Sequence, residues 1–188
     1  MNVYELAPAP DLYQHFVLVR EEQWSDLISC FDGTPVGSAW IPLEVALLRD
    51  ETEDHRNRWP SDFPTLGTIP VFSQRAVEAL QTMLTDNGEL LPLYCKDCEG
   101  GNYFAYNVTR VIDALDEARS QLKYFKDGGV MRVVRYEFRP DQLTNAIIFK
   151  IPQQRRSRVF VTDTFVQRVH AAHLVGFDFK LVWSAPTP

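Results

Sequence analysis

A strand–helix–Gly–strand pattern occurs twice along this chain, at residues 69–94 and 159–183, and it narrows the fold more than any other feature. In the first copy Ile69-Pro70-Val71-Phe72 reads as a strand. Ser73 is placed to cap a helix, because its hydroxyl can accept from an orphan backbone amide. Ala76, Val77, Leu80 and Leu84 recur at helical spacing with Met83 beside them. Asn87-Gly88 ends that run, since glycine tolerates the left-handed conformation past a helix end. Leu90, Leu91 and Leu93 return to strand. In the second copy Val159-Phe160-Val161 leads to the capping residues Thr162 and Asp163. A helical stripe of Phe165, Val166, Val169 and Ala172 follows and stops at Gly176. Phe177, Phe179, Leu181 and Trp183 then alternate with Asp178, Lys180 and Val182, the best strand signal in the chain. The pattern admits a weak internal repeat; two ordinary βαβ-like units give the same appearance.

The remainder is mostly strand. Trp40, Pro42 and Glu44 alternate with Ile41, Leu43, Val45 and Leu47. Tyr103 to Ile112, Val130 to Phe138 and Ile147 to Ile151 are aromatic or β-branched runs, the second with Val130, Val134, Tyr136 and Phe138 on one face. Leu115, Ala118, Leu122 and Phe125 predict a short helix after Asp113, before Gly128-Gly129 turns the chain back. Pro8, Pro10, Gly33, Pro35 and Gly37 break up the first 40 residues, which predict short strands and turns. The fold class is therefore α+β: a mainly antiparallel or mixed sheet with two to four helices. The 188 residues predict a single domain, 1–188, with 1–40 a candidate separate N-terminal β subregion.

Composition excludes several classes. Apolar residues make up 45% and charged residues 23%, which rules out general disorder. No apolar run approaches the roughly 20 residues of a membrane span. Met1 to Leu6 has no basic start and no apolar stretch after it, so no signal peptide is expected. Three cysteines suit free thiols in a reducing cytoplasm better than a disulfide framework, and a cytoplasmic protein is expected. Net charge is -6, which argues against nucleic acid as the partner. That total hides a split. Residues 1–100 hold 6 Lys/Arg against 17 Asp/Glu, whereas residues 101–188 hold 13 against 8. Folding either brings the two halves together as compensating surfaces or leaves them as opposed poles, and only poles would steer a basic partner.

No catalytic constellation emerges. Cys95-Lys96-Asp97-Cys98 is a lone C-x-x-C; zinc wants four ligands, and the following Glu99-Gly100-Gly101 is turn chemistry rather than a helix start. His170 and His173 share a helix face but lack a third ligand, and read as structural. Asp116 and Glu117 diverge on a helix, so with Asp113 they read as surface charge. Arg155-Arg156-Ser157-Arg158 reads as a solvated loop or a patch for an acidic partner. No G-x-S-x-G elbow and no phosphate-binding glycine loop is present. No metal or cofactor is expected.

An ordered set of residues remains. It runs through Trp40 and Leu43, Ser61-Asp62-Phe63, Pro70-Val71-Phe72-Ser73, Gly88-Glu89-Leu90-Leu91-Pro92-Leu93, Tyr103-Phe104 and Asn107-Val108-Thr109. It continues through Asp113-Ala114-Leu115-Asp116, Ile148-Phe149-Lys150-Ile151, Val159-Phe160-Val161-Thr162-Asp163, Gly176-Phe177, Phe179 and Trp183. In this order the set resembles immunity-protein family eleven of bacterial polymorphic toxin systems, over about residues 35–184. The chain departs from the family pattern around Arg56 to Trp59 and at the C-x-x-C. The resemblance implies an antidote encoded beside a toxin, acting by binding, and it supplies no catalytic residues; hydropathy and net charge add the expectation of no membrane and no nucleic acid. An enzyme with an unrecognised site, or an adaptor that oligomerises through a strand edge, are the other readings. Electrostatics then point to a contact surface. Asp50, Glu51, Glu53 and Asp54 precede the Pro-stiffened segment holding Trp59, Asp62 and Phe63, a combination of acids and aromatic anchors suited to a basic toxin. The bland alternative is that Trp59 and Phe63 pack as a minor core and the acids only solubilise.

Overall fold

A computed structural model of the chain describes residues 1–9, 13–48, 58–96, 98 and 101–186. Both copies of the strand–helix–strand pattern are present. In the first, β4 (Val71–Ser73), α2 (Gln74–Thr85) and β5 (Gly88–Cys95) follow one another. The second consists of β10 (Phe160–Thr162), α3 (Asp163–Ala171) and β11 (Phe177–Ser184). Ser73 caps α2 as its position predicts, its Oγ accepting from the Ala76 amide.

The likeness extends to how each unit sits in its sheet. β6 (Tyr103–Val108) lies between β4 and β5 and runs antiparallel to both. β1 (Asn2–Pro8) lies in the same way between β10 and β11. Gly88 opposes Val108 at the end of β6, and Phe177 opposes Pro8 at the end of β1. Each helix thus returns the chain over one strand slot, filled locally by β6 in one case and by the chain's own N-terminus in the other. The repeat is one of topology, with a differently connected third strand.

The first 40 residues are divided between both sheets. While β1 joins the C-terminal unit, β2 (Phe16–Leu18) pairs with β3 (Leu43–Leu47). With β9 (Ile148–Phe149), the strand orders are β11-β1-β10-β9 and β2-β3-β5-β6-β4. The short helix α1 (Trp24–Cys30) lies between β2 and β3 in sequence. No helix among the described residues is long and apolar enough to cross a membrane.

Alternation across the pleat explains the layering. Phe72, Tyr106 and Val161 face a central core that holds α2 and α3 through Ala76, Leu80, Leu84, Phe165 and Val169. Their chain neighbours Val71 and Ala105 face a second core with Leu27 of α1, and Phe160 faces a third with Phe138, Phe149 and Trp183. Both sheets are covered on both faces, which is why several strands read as unbroken apolar runs.

Two expectations are corrected. Residues 115–125 form no helix: a turn over 117–120 leads into β7 (Gln121–Tyr124), which pairs with β8 (Val130–Arg135). Ala118 and Phe125 are exposed, so half of the supposed stripe has no core to face. The Asp127-Gly128-Gly129 turn, held by the Gly129 amide on the Asp127 carboxylate, instead gives this segment a strand partner. The face of residues 130–138 also differs. Val133, Tyr136 and Phe138 are buried and Val134 is exposed, because β8 ends at Arg135 and its pairing with β7 is irregular.

Candidate functional site

Of the expected contact residues, Asp50, Glu51, Glu53 and Asp54 lie outside the described residues. The structure divides the other three by depth. Trp59 is 68% exposed, and its backbone is tied down: the Trp59 carbonyl accepts from the Gln14 amide at 3.0 Å, beside a parallel bridge to Tyr13. Two residues later the chain turns inward. Asp62 is 5% and Phe63 1% exposed.

Asp62 joins three parts of the molecule. Its Oδ1 accepts from the Ser73 hydroxyl at 2.7 Å, and its Oδ2 accepts from Arg75 at 2.6 Å and from the Val175 amide at 2.9 Å. The Asp62 amide donates to the Val175 carbonyl, and the Asp62 carbonyl accepts from the Ser73 amide. Arg75 extends the network by donating to the carbonyls of Ala172 and His173, just past the C-terminus of α3. Phe63 stacks on Phe177 with centroids 4.8 Å apart and tilts against Phe72 at 5.2 Å. Gly176 allows this docking. Its φ is +88°, and a Cβ there would collide with the Ser61 hydroxyl. Asp62 and Phe63 therefore anchor a base that holds Trp59 outward, and their own side chains are occupied inside the fold.

The other singled-out groups do not converge. Asp113 pairs with Arg139 at 3.2 Å, Asp116 accepts from the Arg119 amide, and Glu117 accepts from Gln153. His170 is exposed with its ring edge-on to Phe179, and no cluster of metal-ligating side chains occurs among the described residues. The C-x-x-C corrects the free-thiol expectation: Cys95 and Cys98 form a disulfide, with Cα atoms 5.5 Å apart, while Cys30 is free and exposed. The end of β5 and the turn after it bring the two sulfurs within bonding reach.

Charge separation is partly undone by folding. Arg156 pairs with Asp32 at 3.7 Å, and Arg158 pairs with Glu5, so the basic run at 155–158 is spent in part on acids of the N-terminal half. A second basic surface forms no ion pair among the described residues. Arg132, Arg135 and Lys180 border a groove between β8 and β11. Sequence reasoning missed it because these cations are scattered over 49 positions; only the basic balance of residues 101–188 hinted at it.

The model of the Immunity protein family (Imm11) matches residues 42–183, from β3 through most of β11 and across both strand–helix–strand units. The chain belongs to the Imm11 immunity protein family. No curated protein matches it closely enough to add a relative. The matched span starts after β1, so the Imm11 signature omits a strand that this fold places between β10 and β11.

Proposed function

We propose that this Imm11 protein protects the bacterium that makes it by binding a cognate toxin, encoded beside it, in the cytoplasm. It acts stoichiometrically, without turnover and without a cofactor. The observation that carries this reading is the Imm11 match over residues 42–183. Growth after co-expression with the neighbouring toxin-like gene tests it. Cells should survive only when the intact chain is present, and survival without it, or death in its presence, would overturn the reading.

The contact surface we propose centres on Trp59 together with Asp50, Glu51, Glu53 and Asp54. A tryptophan 68% exposed on a hydrogen-bonded base is the kind of anchor that dominates binding energy. Neighbouring carboxylates raise the capture rate of a basic partner, which matters when the toxin must be caught before it acts. Asp62 and Phe63 anchor the Trp59 end of this segment inside the fold. Reversing Asp50, Glu51, Glu53 and Asp54 together should slow association by about tenfold or more at low salt and flatten its salt dependence. Association kinetics that match the native chain across ionic strengths would remove the acidic residues from the interface.

A further inference from the structure

The groove between β8 and β11 has a volume of about 430 Å³. One wall is the continuous stretch Arg132 to Tyr136, and the other is Lys180 to Val182. Its single carboxylate, Glu5, is already paired with Arg158. Arg135 donates to the Arg119 carbonyl and has no carboxylate partner, and neither do Arg132 and Lys180 among the described residues. Four cations thus line one concavity against a single carboxylate, on a chain whose net charge is -6. Like charges gathered in this way repel one another, a cost that an anionic occupant would relieve.

The floor and walls narrow the choice of anion. Tyr136 and Gln154 are hydrogen-bonded to each other at 2.8 Å, which closes the polar floor. Leu181 is 54% exposed on the rim, with Val134 opposite, so the groove offers apolar contact between its cations. β11 ends its sheet in the order β11-β1-β10-β9, and its outer edge pairs with no strand among the described residues. Glu5 of β1, which lies opposite Lys180, also lines the groove, so the groove runs over the face of the β1–β11 pair and offers its cations to a chain laid across it. A stacked nucleobase would find no exposed ring lining the groove.

We propose that this groove docks an extended acidic segment of the partner, laid across β11 with its carboxylates on Arg132, Arg135 and Lys180. Identifying the partner with the toxin rests on the immunity reading; the docking chemistry does not. The intact chain is titrated with a fluorescein-labelled decapeptide of alternating Glu and Val. A Lys–Val peptide and a ten-nucleotide oligothymidylate serve as comparisons. The Glu–Val peptide alone should bind, losing about tenfold in affinity between about 50 and about 300 mM salt and at least about tenfold in R132E/K180E. Hydrogen exchange across residues 180–182 should slow when it binds. K180E sets a carboxylate opposite Glu5 across β1 and β11, so R132Q/K180Q, which should keep the native thermal midpoint, is titrated beside it and should lose affinity as well.

Absence of peptide binding, equal binding by oligothymidylate, or native affinity in either variant would overturn the proposal. So would a self-associated chain that R132E/K180E makes monomeric, because the occupant would then be a second copy. Growth rescue without peptide binding removes the groove and leaves immunity standing. Peptide binding without rescue does the reverse.

Discussion

Asp62→Ala is expected to cost about 2 kcal/mol of folding stability, although the residue lies only three positions from the exposed Trp59. The carboxylate receives three donors, from Ser73, Arg75 and Val175. Alanine strands the Ser73 hydroxyl and the Val175 amide, which water partly reaches, so each costs about 1 kcal/mol, the low end for an unmet donor. The Arg75 contribution is smaller, because its side chain is 55% exposed and solvent already screens the pair. Asp62→Asn separates charge from hydrogen bonding. It keeps an acceptor for Arg75 and Val175 but turns an amide toward Ser73, whose oxygen already accepts from the Ala76 amide. The expected loss is about half that of alanine. Urea unfolding followed by circular dichroism measures both. Losses under about 0.5 kcal/mol in both variants would mean that the segment at 59–66 is not held by this network, and would put Asp62 back among candidate contact residues.

That burial shows which parts of the molecule were legible in the sequence. Features set by near neighbours were readable: the Ser73 cap, the Ala76–Leu80–Leu84 stripe and the Gly88 and Gly176 stops all depend on residues within a few positions. Their repetition at 69–94 and 159–183 proved to be a shared sheet topology. The strand that completes the second unit was not readable. Asn2 opposes Ser184 across nearly the whole chain, and alternation names a strand without naming its partner. The inward turn after Trp59 was hidden for a similar reason. Trp59 and Phe63 look alike in an aromatic, Pro-rich, acidic segment, yet Phe63 is drawn in by Phe177, which is more than a hundred residues away. The failed helix at 115–125 is the converse case. Its spacing was local, but the β8 partner beyond the glycine turn supplied hydrogen bonds that an exposed helix face could not outweigh. The basic groove has no local signature at all, because β8 and β11 bring its cations together only on folding.

The chain is also expected to grow more stable as the pH rises from about 7 to about 9.5, against the trend its net charge of -6 suggests. Lys150 is the cause. It is 3% exposed, its Nζ donates to the Phe31 carbonyl at 2.5 Å, and burial pushes its pKa down from 10.5 to about 8, with Asp32 only partly opposing the shift. Below pH 8 both folded and unfolded chains hold the proton, and the fold carries the cost of a buried ammonium, on the order of 3 kcal/mol. Between about pH 8 and 10.5 the unfolded chain holds more protons than the folded one, so stability rises with pH. Tyrosines set the upper limit. Burial raises the pKa values of Tyr103, Tyr106 and Tyr136 above 10, so above that pH the unfolded chain ionises first and stability falls again. A maximum at about pH 9.5 follows. Lys150→Met isolates the effect. At pH 7 it removes the ammonium cost but orphans the Phe31 carbonyl, and the two changes nearly cancel, to within about 1 kcal/mol. At about pH 9.5 only the orphaned carbonyl remains, and the variant should be the less stable by about 1–3 kcal/mol. Denaturant midpoints for both proteins across this range decide the matter. Parallel profiles would show that Lys150 titrates alike in the folded and unfolded chain and that its ammonium is hydrated despite its burial.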